Sequence, residues 1–158
     1  DNGIFDAGIT YADGVPSDLM RVERLYDERY LLLAPKKMAP SNATSATWAE
    51  AAALPLSLLE PSMQNRRILD QVFAEAGLLP TVFAETSEFS ASIVMAAQGI
   101  AATVVPELLV QSFGGIEGTV ALPLQAPVLE KEVSLVSTVR DPGLSTVSAL
   151  RATLNFDN

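Results

Sequence analysis

Hydrophobic residues in this chain form either short continuous runs or helical spacings, and one stretch shows the two patterns in succession. Leu56, Leu58 and Leu59 make an apolar run between two prolines, which predicts a covered β-strand. Further on, apolar residues recur at the spacing of one helical face: Ile68, Leu69, Val72, Phe73 and Ala76. The stretch from 56 to 76 therefore predicts a buried strand that leads directly into an amphipathic helix.

The start of this helix is a candidate binding site. Ser62 can cap the first turn through its hydroxyl. A helix that follows a strand begins at the carboxyl end of the sheet, where the amides of Met63, Gln64 and Asn65 lack intrahelical acceptors. Such a position suits a carboxylate or another small anion. The alternative is that Ser62 only caps the helix and water binds the remaining amides.

Two arginines follow in the same helix. Arg67 falls opposite the apolar face, and Arg66 lies at the margin of that face, four residues before Asp70. The spacing predicts an Arg66–Asp70 ion pair. It favours a solvated role for both arginines over a phosphate site.

The remaining pattern alternates strands and helices. Strands are predicted over 7–10, 24–34, 81–86, 101–105, 120–124 and 131–139. Helical segments are predicted over 48–53 (capped by Thr47), from Ser87 or Ser90 to Gln98, over 107–113, and from Ser145 to near Leu154. The middle of the chain is thus a βαβαβ block. We predict an α/β fold of two lobes, residues 1–53 with 117–158 forming the first and 54–116 the second.

Composition excludes several kinds of chemistry. The 158 residues contain no cysteine and no histidine, which removes a cysteine nucleophile, a Ser-His-Asp triad and imidazole metal ligands. We predict neither a cofactor nor a metal. The formal net charge is −9, so the surface repels the phosphate backbone of nucleic acid. No apolar run approaches the roughly 20 residues that span a bilayer.

Four segments, in order, resemble one known family. They are Asp6-Ala7-Gly8-Ile9, the run LYDERYLLLAP at 25–35, MQNRR at 63–67 and MAAQGIAATVVP at 95–106. Together they resemble the effector-binding domain of LysR-type transcriptional regulators, over nearly the whole chain. The winged helix-turn-helix of such regulators and the opening strand–helix–strand of their effector domain do not match any part of this sequence.

This resemblance implies a two-lobed fold like that of type 2 periplasmic binding proteins, with the first lobe incomplete. It also implies an effector between the lobes, with Thr10 and Tyr11 on the hinge strand of the first lobe. For Arg66 and Arg67 it implies a dimer interface as the alternative to a solvated role. The expected effector-binding residues are Ser62, Met63, Gln64, Asn65, Glu88, Phe89, Thr10 and Tyr11. Three of these residues have a simpler explanation. Phe89 could belong to the core, Glu88 could be an acid favoured by the helix dipole, and Tyr11 could cover the crossover between the lobes.

The leading hypothesis is therefore an effector-sensing domain of a bacterial regulator, located in the cytoplasm. Its partners would be a small, anionic effector, DNA through a helix-turn-helix outside this chain, and further copies in a homodimer or homotetramer. A periplasmic-type solute receptor with the same fold is the alternative. An enzyme using Glu60 and Glu88 as a carboxylate pair is a third hypothesis, which we disfavour because no histidine, cysteine or metal-ligand cluster accompanies them.

The chain alone is not expected to bind duplex DNA specifically. Its charge of −9 opposes contact with phosphates, and it carries no recognition helix. A mobility-shift assay at physiological salt tests this expectation. A shifted band that survives excess competitor DNA would contradict it.

We also expect the chain to self-associate. A first lobe without its opening strand–helix–strand exposes a sheet edge and an apolar face, and both invite pairing. Light scattering at micromolar concentration should report a dimer or a larger species, with exchanged elements as one route. A monodisperse monomer would count against this prediction.

Overall fold

Strands and short helices alternate along most of the chain. The computed structural model describes residues 7–11, 20–138 and 152–153. Its elements are β1 (Ala7–Tyr11), β2 (Met20–Pro35), β3 (Ala46–Thr47), α1 (Trp48–Ala52), β4 (Pro55–Leu59), α2 (Gln64–Glu75), β5 (Thr81–Thr86), α3 (Phe89–Ala97), β6 (Thr103–Pro106), α4 (Glu107–Ser112), β7 (Thr119–Gln125) and β8 (Glu130–Thr138).

The chain divides into two compact units. Unit 1 consists of Asp1–Glu28 and Glu130–Asn158, and unit 2 consists of Arg29–Leu129. The lobe boundaries predicted from the sequence, 53/54 and 116/117, both fall inside unit 2 and stay a prediction. The predicted terminal helix from Ser145 lies outside the described residues apart from 152–153, which are helical.

In unit 1, β8 lies between β1 and β2. Strands β1 and β8 are antiparallel, with Ile9 opposite Leu135. The hydroxyl of Tyr11 donates a hydrogen bond to Oε2 of Glu28 at 2.5 Å, and Glu28 is buried. This bond joins β1 to the part of β2 that belongs to the same unit.

In unit 2, the end of β2 is enclosed. Residues 31–33 pair antiparallel with β6 along one edge and with β7 along the other. Leu32 and Ala34 belong to the main apolar core, whereas Leu31 and Leu33 belong to a second core. Because both faces are covered, the strand is a continuous apolar run rather than an alternating one.

The two largest fully buried side chains of the main core are Trp48 and Phe73. Their rings meet edge to face, with centroids 5.3 Å apart. The indole Nε1 of Trp48 donates to the carbonyl of Pro127 at 2.8 Å. Helix α1 begins with the predicted Thr47 cap, whose hydroxyl accepts from the amide of Glu50 while the Glu50 carboxylate accepts from Thr47. The capping box precedes Trp48 in the chain, and a part-buried hydrogen bond holds its ring.

Strands β4 and β5 form a parallel pair joined by α2, as the alternating pattern predicted. The register shifts between Leu56 and Ser57, which leaves Phe83 as an extra residue on β5, a β-bulge, with its side chain 60% exposed. On the opposite edge of β4, the amide of Ser57 donates to the carbonyl of Ala102 at 2.8 Å. The strand predicted over 101–105 therefore starts later, at Thr103, and pairs with β2.

Strand β3 is the element that the sequence did not predict. It has two residues, and it pairs parallel with β7 through Ala46 opposite Leu124. Both of these side chains are buried in the main core.

Replacing a core leucine in β4 should destabilise unit 2. Leu56 is fully buried, so Leu56→Ala should lower the free energy of unfolding by about 2–5 kcal/mol through lost burial and a residual cavity. Leu79→Ala is the matched control, because Leu79 is 93% exposed and its loss should change that free energy by less than about 0.5 kcal/mol. Urea denaturation of the two variants measures both values, and equal losses would contradict the placement of Leu56 in the core.

Candidate ligand-binding site

The carboxyl ends of β4 and β5 lie at the same edge of their sheet because the two strands are parallel. The amide of Glu60, just after β4, donates to the carbonyl of Thr86 at 3.0 Å, so the two turns that leave the strands are joined. Helices α2 and α3 begin directly after these turns. The predicted site residues of 62–65 and 88–89 are therefore brought together at one end of the β4–β5 pair.

Helix α2 begins one residue later than the sequence predicted. Its N-cap is Met63, in an extended conformation (φ −79°, ψ 137°), and no side chain caps the first turn. The prediction that Ser62 caps α2 is therefore wrong. Ser62 is exposed in the turn, which is closed by a 3.0 Å hydrogen bond from the amide of Met63 to the carbonyl of Glu60.

The free amides of α2 are shifted accordingly. The amide of Met63 is used by the turn, so it does not belong to the group predicted to bind an anion. The amide of Arg67 donates to the carbonyl of Met63 at 3.2 Å. Residues 64–66 precede this bond, and helix geometry gives their amides no intrahelical acceptor.

Helix α3 also begins without a side-chain cap. Its N-cap is Glu88 (φ −154°, ψ 152°), so the expected caps at Ser87 or Ser90 are wrong. The hydroxyl of Thr86 donates instead to the carbonyl of Glu88 at 3.1 Å. Glu88 is exposed and Phe89 is half-buried against the second core, in line with the simpler explanation for Phe89.

A buried chain of hydroxyls holds the start of α3 on the strands. The Oγ1 of Thr86 lies 3.0 Å from Oγ of Ser92, which lies 2.8 Å from Oγ of Ser57. Since the hydroxyl hydrogen of Thr86 goes to the carbonyl of Glu88, Ser92 must donate to Thr86 and Ser57 to Ser92. Three buried hydroxyls thus link β4, β5 and α3.

Asn65 is the predicted site residue with an unmet hydrogen-bonding need. It is 7% exposed, and its Nδ2 donates to the hydroxyl of Tyr30 at 3.0 Å. Its Oδ1 is buried and has no hydrogen-bond partner in the part of the chain that the structure describes. Leaving such an acceptor unpaired costs about 1–3 kcal/mol, so a donor is favoured there.

Arg66 departs from its predicted environment. The predicted bond to Asp70 is present, with Nε of Arg66 2.8 Å from Oδ1. The side chain of Arg66 is only 9% exposed, however, so the prediction of a solvated or interfacial arginine is wrong for this residue. Its Nη1 also donates to Oε1 of Glu85 on β5, a partner 19 residues away that no local sequence pattern predicts. Arg67 is exposed, as expected.

The two remaining predicted site residues belong to unit 1. Thr10 and Tyr11 lie on β1, opposite Ser134 and Val133 of β8. Both are half-buried, and the hydroxyl of Tyr11 is engaged by Glu28 as described above.

Three other kinds of feature bear on function: metal sites, membrane-spanning helices and pockets. The described residues contain no group of acidic side chains placed to hold a metal ion. Among the same residues, no helix has the length and apolar character needed to cross a bilayer. A pocket of about 200 Å³ lies elsewhere in unit 2, beside Tyr30, Glu107 and Leu124, and none of the predicted site residues lines it.

Comparison with known proteins identifies the family. The family model for the LysR substrate binding domain matches residues 1–155, so the chain belongs to this family. The predictions of a LysR-type effector-binding domain and of its periplasmic-binding-protein-like α/β fold are thereby confirmed, and the solute-receptor alternative is not favoured. No curated protein matches the chain significantly.

Solved structures of regulatory proteins share the fold. The Synechocystis CcmR regulatory domain in complex with 2-PG has a TM-score of 0.80 at 12% identity, over 97% of this chain and 73% of that one. The effector-binding domain of QuiR in complex with shikimate has a TM-score of 0.76 at 14% identity, over 95% and 70%. Full-length CbnR complexed with its target DNA has a TM-score of 0.76 at 12% identity, over 96% of this chain but 52% of that one. The chain thus spans about half of a full-length regulator.

Proposed function

We propose that this chain binds a small anionic effector at the carboxyl ends of β4 and β5. The effector's acidic group would lie on the amides at the start of α2, with the side chains of Ser62, Gln64 and Asn65 around it. Met63, Glu88 and Phe89 would flank it. The proposal for Thr10 and Tyr11 in unit 1 is based on the family resemblance alone.

The observation that carries the proposal is the pair of helix starts. Helices α2 and α3 begin side by side after two parallel strands, and neither N-cap residue, Met63 or Glu88, makes a side-chain capping hydrogen bond. Each start presents backbone N–H groups and the positive end of a helix dipole, which together favour an anion. Two such starts at one edge therefore form a better anion site than one.

The surrounding side chains narrow the chemistry of the effector. Glu60 and Glu88 are exposed beside the two helix starts, and Oδ1 of Asn65 is an acceptor that has no donor among the residues the structure describes. Acceptors and carboxylates repel a bare anion but accept hydrogen bonds from hydroxyl or ammonium groups. A small organic acid that also carries such donors fits better than an inorganic anion. Shikimate, a hydroxylated carboxylic acid, is the ligand of the QuiR domain.

Effector binding would act on DNA through a domain outside this chain. A ligand that binds one conformation of the domain more tightly than another shifts the population toward it, and that shift is the signal. We propose that the regulator works in the cytoplasm as a homodimer or homotetramer and that the bound effector leaves unchanged, without turnover. The charge of −9 on this chain is compatible with DNA contact being made elsewhere.

Substitutions in the α2 turn should separate binding from stability. Ser62 is exposed and caps nothing, so Ser62→Ala should change the free energy of unfolding by less than about 0.5 kcal/mol. The same change should lower affinity for a hydroxylated carboxylic acid about ten- to a hundredfold by removing a hydrogen bond to a charged group. Gln64→Ala should also weaken binding. Calorimetric titration of the full-length protein with a panel of such acids, shikimate included, measures the affinities.

Arg67→Ala is the matched control for these variants. Arg67 is exposed on the same helix, so its loss should leave the affinity nearly unchanged. The placement is wrong if Arg67→Ala abolishes binding while Ser62→Ala and Gln64→Ala do not. Absence of binding across the whole panel would contradict an acidic effector.

A further inference from the structure

The guanidinium of Arg66 joins three elements at the edge where the proposed site lies. Its Nη1 donates to the carbonyl of Leu59, the last residue of β4, at 2.8 Å and to Oε1 of Glu85 on β5 at 2.9 Å. Its Nε donates to Oδ1 of Asp70, one turn further along α2, at 2.8 Å. A single side chain therefore ties α2 to both strands.

This arrangement depends on the shape of the group as well as on its charge. Burial lowers the pKa of the Arg66 guanidinium, but its hydrogen bonds to Asp70 and Glu85 outweigh that effect, so the pKa lies above its ordinary value. The side chain thus stays charged. The planar guanidinium donates hydrogen bonds from Nε and Nη1 in fixed directions. A lysine ammonium is instead a compact point charge on a flexible stem and does not fix these directions.

Arg66 is not suited to be the group that binds an anion. One positive charge faces the two carboxylates of Asp70 and Glu85, so the cluster offers no net positive charge to a ligand. Its contacts are instead placed at both ends of the turn that carries the proposed site. Leu59 comes directly before that turn, and Arg66 itself comes directly after it.

We propose that Arg66 is a positioning residue that fixes the turn Glu60–Asn65 in its binding geometry before the effector arrives. The turn's own bonds, from Glu60 to Thr86 and from Met63 to Glu60, close it locally, and Arg66 anchors both ends to the strands. Arg66 also holds the end of β5 through its bond to Glu85, and α3 begins shortly after that strand ends. The role of this turn as an effector site rests on the proposed function; its anchoring by Arg66 does not.

The test measures amide hydrogen exchange in the ligand-free, full-length protein. Arg66→Met should accelerate exchange of the hydrogen-bonded amides of Glu60, Met63 and Arg67 by about tenfold or more, since hydrogen bonds to a charged group are lost. Amides of β2 where it pairs with β7, residues 31–34, should change much less. Arg66→Lys should behave like Arg66→Met, because an ammonium does not reproduce the planar guanidinium. Arg67→Met and Arg67→Lys are the matched controls and should leave all these rates unchanged.

Two results would overturn the proposal. Acceleration by the same factor at Glu60, Met63 and Arg67 and in residues 31–34 would mean that Arg66 contributes only to global stability. Wild-type exchange in Arg66→Lys would mean that charge alone suffices. If Arg66→Met does not fold, Glu85→Gln and Asp70→Asn weaken the same cluster from half-exposed positions. Each should give a smaller acceleration confined to the same three amides, and no acceleration in either variant would also overturn the proposal.

This outcome is independent of the proposed function. No ligand enters the exchange measurement, so failure of every acid to bind would contradict the effector site and leave the anchoring result intact. Conversely, binding that is weakened by Ser62→Ala, together with a turn unaffected by Arg66→Met, would support the site and reject the anchor.

Discussion

The end of β2 constrains the rest of unit 2, because it is covered on both faces and hydrogen-bonded along both edges. Leu32 faces the main core and Leu31 faces the second core, while β6 and β7 occupy the two edges of the same segment. A polar side chain here would lose water without gaining a partner. Changes of side chain are therefore tolerated more easily in the turns that follow β4 and β5, where the proposed site lies.

Much of this fold could be predicted because its signals are local. The run at Leu56–Leu59 and the helical spacing after Ile68 identify β4 and α2, and the strand over 81–86 has the predicted bounds. Strand β3 could not be predicted, since two residues carry no periodicity and Ala46 becomes a strand residue only through its pairing with β7. The late start of β6 has a similar cause, because Ala102 is engaged by β4 rather than by β2.

The position of the candidate site followed from the order of strand and helix, but its details did not. The propensity of Ser62 to cap a helix was outweighed by a backbone hydrogen bond. The amide of Met63 donates to the carbonyl of Glu60, so the turn is one residue longer and the helix starts one residue later. The apolar face of α2 was predicted from apolar residues only, although Asn65 and Arg66 are buried on it as well. Arg66 has two partners nearby in sequence, Asp70 and the carbonyl of Leu59, but Tyr30 and Glu85 are distant, so a window around α2 does not contain the whole reason for the burial of Asn65 and Arg66.

The extra residue at Phe83 interrupts the even row of backbone donors and acceptors along β5. Within the described residues, β5 has β4 as its strand partner, and its other edge carries none. An irregular edge is a poor template for a strand of another molecule. Although Phe83 on β5 is exposed, the bulge opposes the open-ended addition of strands that builds fibrils. Copies of the protein that meet at this surface would therefore associate through side chains, in assemblies of limited size.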